Sequence, residues 1–94
     1  MKIHQHEGKR FLSACDIDLV GKTFEEGEHL LDIPESFFKG DKETIESIIS
    51  SIELCDSSHL IGNNLIEKLL ENNIIHEQNL KEVDGNRHVM IFRV

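Results

Sequence analysis

The sequence predicts a small α+β domain in which two amphipathic helices pack on a mixed or antiparallel sheet with N- and C-terminal hairpins. The first and last segments alternate polar and apolar residues around Gly-containing turns, which is typical of β-hairpins. Two internal segments repeat apolar residues at helical spacing. A chain of 94 residues supports one hydrophobic core, so we expect residues 1–94 to form a single domain.

The N-terminal segment predicts two short strands around a tight turn at Gly8-Lys9. In this register His4 faces Ser13 on the second strand. The register places His4, His6 and Cys15 on one face of the hairpin, and a one-residue slip would change that set.

Residues 16–27 are rich in Asp, Glu and Gly and predict a loop, and residues 28–33 predict a strand. Pro34 then opens a helical turn that Gly40 closes, because Pro is favoured at the first helical position and Gly just past the last. We expect Phe37-Phe38 to anchor this turn to the core.

Two amphipathic helices follow. Asp41 is a good N-cap for the first, and residues 53–56 predict a short strand after it. The second helix begins after Gly62 and ends at Asn72-Asn73, since Asn tolerates the left-handed conformation of helix ends. The apolar stripes of the two helices are Ile45, Ile48, Ile49 and Ile52, and Leu65, Ile66, Leu69 and Leu70.

The chain ends in a predicted hairpin of residues 79–83 and 87–94, with its turn near 84–86. No apolar run reaches the about 20 residues that a membrane-spanning helix needs. Cys15 and Cys55 lie outside any CxxC spacing, and no signal-like segment opens the chain. We therefore expect a cytoplasmic protein with reduced cysteines and no membrane contact.

Charge is distributed unevenly along the chain. The net charge of −8 disfavours non-specific binding to nucleic acid or to an anionic membrane. The net charge of residues 16–56 is −9, and the net charge of the two ends together is +1. A locally basic sheet face is therefore one interpretation, and a solvated surface of mixed charge is the other. The candidate basic surface consists of Lys9, Arg10, Arg87 and Arg93.

The aromatic content limits nucleic-acid recognition. The chain has five Phe and no Trp or Tyr. Stacking platforms for single-stranded bases would therefore have to be built from Phe, His or Arg. The composition disfavours aromatic base readout.

Cys15-Asp16 is a candidate pairing of a thiol nucleophile with a carboxylate. A neighbouring negative charge raises the pKa of a thiol, which argues against catalysis and favours a packed cysteine beside a turn or cap residue. Gly21-Lys22-Thr23 is similar to the end of a phosphate-binding P-loop, but Asp16 stands where the leading Gly would be. We assign no catalytic residue and retain a candidate functional cluster of Cys15, Asp16, Gly21 and Lys22.

His4 and His6 are weak candidates for metal binding. With Cys15 they could offer zinc a mixed nitrogen and sulfur site, but a structural zinc site normally has four ligands at recurring spacings. The other histidines follow no such spacing. A half-exposed strand face explains the pair more simply, so we expect no metal and no cofactor.

Four motifs resemble an archaeal family of short stand-alone chains, the domain-of-unknown-function family numbered 424, over the whole sequence. They are Ala14-Cys15-Asp16 with the following Leu19-Val20-Gly21-Lys22-Thr23-Phe24, then Ile33-Pro34-Glu35-Ser36-Phe37-Phe38-Lys39-Gly40, then Leu60-Ile61-Gly62, and a final strand after Asp84-Gly85. The chain departs from the family pattern at Phe38, where Tyr is common, and at Asn63-Asn64, which replace a charged and a hydroxyl residue. The resemblance implies an archaeal cytoplasmic α+β protein without an assigned reaction, and it carries over no catalytic residue.

Our leading functional hypothesis is a non-catalytic binding module associated with translation or RNA processing, whose partner is a protein or ribonucleoprotein. One alternative is a small enzyme or metal protein centred on Cys15, Asp16 and Lys22. Another is a homo-oligomer that pairs through an exposed strand edge.

Overall fold

A computed structural model describes residues 1–38, 40 and 43–93. Its strands β1, β2, β5, β7 and β6 form one sheet in that order, and β3 pairs with β4 in a separate two-stranded sheet. The β2–β5 pair is parallel and the other pairs are antiparallel, so the predicted α+β fold with a mixed sheet is confirmed. In chain order the elements are β1 (Lys2–His6), β2 (Lys9–Cys15), β3 (Thr23–Glu26), β4 (His29–Asp32), α1 (Glu35–Phe38), α2 (Ile45–Leu54), β5 (Ser57–Ile61), α3 (Asn63–Glu71), β6 (Lys81–Val83) and β7 (Asn86–Phe92).

The predicted N-terminal hairpin is confirmed, but its register is wrong. The turn is Glu7-Gly8, whose φ angles of 51° and 80° are both positive, as a type I′ turn requires. His4 consequently pairs with Phe11 and not with Ser13. Each partner moves by two residues, so His4, His6 and Cys15 still share a face. Because β1 pairing ends at Ser13, Cys15 lies beyond the end of β1.

Strand β5 occupies the centre of the sheet, between β2 and β7. The short strand predicted over 53–56 is wrong, since α2 continues to Leu54 and the strand begins at Ser57. Ser57 and Ser58 are both buried in this strand. Two buried serines give no apolar run and no alternation, which is why the sequence pattern does not reveal the central strand.

Helices α2 and α3 pack on one face of the sheet. Helix α2 begins at its N-cap Thr44, whose Oγ1 accepts the N–H of Ser47 at 3.2 Å, and the predicted cap Asp41 lies outside the described residues. In the described part of the chain, no helix is long and apolar enough to cross a membrane. The buried core under the helices comprises Leu12, Ala14, Ile52, Cys55, Leu60, Leu65, Ile66, Leu69, Ile75 and Val89.

The opposite face of the sheet is covered at one end, by α1 and the β3–β4 hairpin. The loop predicted over 16–27 is therefore wrong in part, because it contains a 3₁₀ turn at Ile17–Leu19 and all of β3. Phe38 is buried but Phe37 is 52% exposed, since adjacent residues of a helical turn point in different directions. Only Phe38 anchors α1 as predicted. The second core contains Leu19, Leu31, Ile33, Phe38, Ile61 and Val83.

The closing hairpin and the end of α3 are confirmed. Asp84-Gly85 forms the turn with positive φ angles of 50° and 79°. Strand β6 is shorter than predicted and begins at Lys81, after a 3₁₀ turn at Glu77–Asn79. Helix α3 ends at Glu71 with Asn72 as its C-cap, and Asn73 adopts a left-handed φ of 58°.

The carboxylate of Asp16 caps α3 from a distant part of the sequence. Its Oδ2 accepts the N–H of Asn64 and its Oδ1 the N–H of Leu65, both at 3.0 Å. These are donors of the first helical turn, which has no intrahelical acceptor. The residue at the N-cap position is Gly62, with φ of 120°, and a Cβ there would collide with the Asp16 carboxylate. A side chain from the end of β2 thus replaces the cap that Gly62 lacks.

We predict that Asp16→Ala lowers the free energy of unfolding by about 1–2 kcal/mol, because two helix donors lose their acceptor. Chemical denaturation monitored by circular dichroism measures this loss. Asp18→Ala, which removes an exposed carboxylate two residues away, should change stability by less than about 0.5 kcal/mol. Equal effects of the two substitutions would contradict the capping role.

A second prediction concerns Gly62. Gly62→Ala should destabilise by about 2–5 kcal/mol, since it combines backbone strain with a collision against Asp16. The matched control is Gly27→Ala, where φ is also positive at 61° but no atom lies within 4 Å of the new Cβ. Backbone strain alone predicts about 1–2 kcal/mol there. Similar melting temperatures for both variants would argue against close Gly62–Asp16 packing.

Candidate functional site

In the structure, Asp16 caps helix α3. Both carboxylate oxygens accept helix N–H groups, and the backbone N–H of Asp16 donates to Ile61 O at 3.0 Å. The residue is therefore held at the junction of β2, β5 and α3. This is the cap role that the sequence offered as the alternative to catalysis.

Cys15 lines a cavity of about 610 Å³ at the edge of β2, beyond the end of β1. Burial is the main factor that raises the pKa of its thiol to about 11; the N-terminal amino group opposes this rise, and Asp16 and Asp18 add to it. At neutral pH the thiol is protonated and a weak nucleophile. The charged groups described around the cavity are those of Asp16, Asp18, Glu35, Glu43 and Lys68 together with the N-terminal amino group, a mainly acidic set that repels phosphate.

Among the described residues, those that line this cavity do not include Gly21 or Lys22. Gly21 has φ of 84°, and its N–H donates to Ile33 O at 2.7 Å. Ile33 in turn donates its N–H to Lys22 O at 3.0 Å. These two bonds fix the segment before β3 to the end of β4 and leave the Lys22 side chain exposed. The candidate functional cluster therefore separates into two structural pairs.

The two N-terminal histidines lie apart from Cys15. The Nε2 of His4 is 3.0 Å from Phe37 O, and the His4 ring lies 4.6 Å from the Phe37 ring. His6 lies beside Glu7, with 3.8 Å between its Nε2 and the Glu7 Oε1, in an exposed position. Across residues 1–38, 40 and 43–93, no three His, Cys, Asp or Glu side chains meet as a metal site would require.

Three of the four residues of the candidate basic surface meet at one end of the sheet. Arg10 and Arg93 flank Asp56: the Asp56 N–H donates to Arg10 O at 2.9 Å, and the Arg93 N–H donates to Asp56 O at 2.8 Å. Lys9 is adjacent to Arg10 at the start of β2. Arg87 lies near the other end of β7, where its guanidinium bonds Glu67 at 2.8 Å.

The sheet face opposite α2 and α3, which we call the open sheet face, carries no acidic side chain. Because strand residues alternate between faces, its members follow from the buried positions of the helix-covered side. Every one of them is neutral or basic. They are Lys2, His4, His6, Lys9, Phe11, Ser13, Cys15, Ser57, His59, Ile61, Lys81, Val83, Asn86, His88, Met90 and Phe92.

The uncovered end of this face exposes large apolar side chains. Phe11 is 40%, Met90 53% and Phe92 68% exposed. Phe11 and Phe92 both pair with the buried Ser57, so two strand spacings, or about 10 Å, separate them. Sequence reasoning missed this arrangement because the central strand β5 escaped detection. Exposed apolar patches rimmed by polar residues mark interaction sites.

Two histidines form the polar centre of the open sheet face. His59 Nε2 and His88 Nδ1 are 3.4 Å apart, so one ring donates to the other. Burial, and then the charge of His88, lowers the pKa of His59 to about 4. Burial, and then the charge of Lys81, lowers the pKa of His88. Both rings are therefore mainly neutral at pH 7, and lysines supply the positive charge of the strands on this face.

The model of a family described as a protein of unknown function, DUF424, matches residues 4–94. The chain belongs to this family. The resemblance identified from the motifs is thereby confirmed. No curated protein matches the sequence. A crystal structure of an uncharacterized conserved protein from Methanopyrus kandleri has the same fold, with a TM-score of 0.77 and 20% identity over 97% of this chain and 87% of that chain.

The first three motifs noted in the sequence form contacts that stabilise the fold. Asp16 and Gly62 come from two separate motifs and meet at the cap of α3. Gly21-Lys22, from the same motif as Asp16, exchange backbone hydrogen bonds with Ile33 of the second motif. These contacts account for the first three motifs through folding, whereas the fourth motif, the final strand, contributes His88, Met90 and Phe92 to the open sheet face.

We predict that Cys15 reacts slowly with iodoacetamide. A thiol with a pKa of about 11 is only about 0.1% thiolate at pH 8, so alkylation should be about a hundredfold slower than for a free cysteine peptide. The rate should rise about tenfold for each pH unit until pH approaches the pKa. Mass spectrometry of the Cys15 peptide measures the rate, and urea-unfolded protein is the control. Equal rates in folded and unfolded protein would contradict the raised pKa of Cys15.

Proposed function

We propose that this chain is a non-catalytic binding module that binds single-stranded RNA through the open sheet face. The observation that carries the proposal is the exposure of Phe11, Met90 and Phe92 on a sheet face without acidic side chains, in a chain of net charge −8. An RNA strand needs both properties: apolar rings for its bases and an absence of negative charge near its phosphates.

The charges of the side chains favour phosphate binding on this face over the rest of the molecule. Lys2, Lys9 and Lys81 belong to this face, whereas Arg10 and Arg93, one residue from Phe11 and Phe92, point to the opposite side of the sheet, on either side of Asp56. Its carboxylate Oδ2 already accepts the Arg10 N–H at 2.8 Å, which reduces its repulsion of phosphate. The acidic surroundings of the Cys15 cavity have the opposite character. Phosphate is therefore attracted to one side of the molecule.

Stacking supplies the second part of the proposal. Aromatic side chains on a sheet surface stack successive bases of single strands, at about 1–3 kcal/mol per base. Phe11 and Phe92 lie on the two strands that flank β5, one on each side of the small Ser57. Phe and His thus provide the platform that a chain without Trp or Tyr would need.

The proposal includes a cytoplasmic setting among components of translation or RNA processing. The two free cysteines are consistent with a reducing compartment. The alternative of a small enzyme or metal protein has weaker support. Asp16 caps a helix, the Cys15 thiol is protonated, and Lys22 does not line the Cys15 cavity. Homo-oligomerisation through the outer strands β1 or β6 stays a separate hypothesis.

Fluorescence anisotropy with labelled octauridylate tests the proposal. Phe11→Ala and Phe92→Ala should each weaken binding by about fivefold to a hundredfold, because each removes one stacking surface. The matched control is Leu54→Ala, which removes a side chain of similar exposure, 67%, from the helical side and should change the affinity by less than about twofold.

Charge provides an independent measurement on the same probe. Binding should weaken between about 50 and 200 mM salt, and replacing Lys9 by Ala should reduce the salt dependence, whereas Lys68→Ala should not. No anisotropy change with octauridylate, or equal binding by the Phe11, Phe92 and Leu54 variants, would overturn the proposal. Binding of a polyglutamate peptide in place of RNA would assign the face to an acidic protein.

A further inference from the structure

A small cavity adjoins the open sheet face at the edge of β7. Its volume is about 240 Å³, and its lining is Asn79, Lys81, His88, Val89, Met90 and Phe92. Sites for drug-sized molecules occupy about 300–1,000 Å³, so this cavity suits a smaller planar group. It lies outside both clusters of residues that the sequence singled out.

The cavity exists because β6 is short. Strand β6 pairs with β7 only from Asn86 to His88, and the chain before β6 forms the 3₁₀ turn at Glu77–Asn79. Beyond His88, β7 has no strand partner on this side in the described part of the chain. A recess is left between the turn and the strand, with Met90 and Phe92 from β7 in its lining.

Its polar groups match the requirements of nucleobase recognition. The Asn79 amide offers two donors and an acceptor and has no hydrogen-bond partner among the described residues. His88 uses Nδ1 toward His59, which leaves Nε2 for a ligand. Lys81 supplies a positive charge at the same site. An aromatic ring, an amide and a cation together fit a base, its edge and its phosphate.

We propose that this cavity binds one unstacked base of single-stranded RNA, with adenine preferred, through stacking on Phe92 and hydrogen bonds to the Asn79 amide. Asn pairs with adenine in a bidentate manner, by accepting from N6 and donating to N7. Lys81 contacts the phosphate of the same nucleotide. The inference rests on the proposed function and adds base selection to it: Phe11 and Phe92 hold the strand, and Asn79 selects the base.

Anisotropy with labelled octa-adenylate, octauridylate and octacytidylate tests base selection. The wild-type chain should bind octa-adenylate at least about fivefold more tightly than octauridylate. Asn79→Ala should remove this preference, so that octa-adenylate and octauridylate bind equally within about twofold. Asn79→Asp should favour octacytidylate, because a carboxylate accepts from the N4 amino group of cytosine and disfavours adenine N7.

Gln78→Ala is the matched control, since Gln78 is an exposed amide in the same turn that does not line the cavity. Its preference for octa-adenylate should equal that of the wild type, and circular dichroism should show the same melting temperature for all variants. Equal wild-type binding of the three octamers, or an adenine preference that survives Asn79→Ala, would overturn this inference and leave the proposed function standing. Failure to bind any octamer would overturn the proposed function itself, and base selection with it.

Discussion

The hydrogen bonds between the Asp16 carboxylate and the first turn of α3 connect the two halves of this fold. Asp16 follows directly on β2, and α3 follows directly on β5, so one side chain holds two parallel strands and a helix in register. The contact also explains a backbone requirement. Gly62 must lack a side chain and adopt a positive φ, because the carboxylate occupies the space that a Cβ would fill. The position of α3 over the sheet follows from this junction.

Helices α2 and α3 fill one side of the sheet, and the consequence for function is on the other side. The β3–β4 hairpin and α1 cover only part of that side, and their packing directs Phe38 inward while Phe37 remains exposed. The remaining surface keeps apolar rings in contact with water, which the fold does not require. Exposed rings that do not contribute to the core are the natural candidates for contact with another molecule.

The charge distribution supports the same division between the open sheet face and the rest of the molecule. The chain is acidic overall, yet its acids lie mainly in residues 16–56, which form the hairpin, α1, α2 and their connections. The five-stranded sheet comes mostly from the two ends of the chain, where cations balance or exceed acids. The order of the segments along the chain therefore becomes a spatial separation of charge. Asp56, at the boundary of the two regions, lies between Arg10 and Arg93.

The sequence by itself determined the local elements: both terminal hairpins, the two amphipathic helices and the Asn-rich end of α3. These depend on turn residues and on periodicity within a few positions, which a single sequence displays. Only the tertiary structure decided which strands are neighbours. The central strand β5 is half polar and pairs with distant segments, so no local pattern marks Ser57 and Ser58 as buried. Because β5 places Phe11 and Phe92 on either side of Ser57, and because β6 stops short of Asn79, the candidate site depends on non-local pairing. The sequence named Lys9, Arg10 and Arg93, but long-range contacts brought them to one end of the sheet and assigned Arg87 to Glu67.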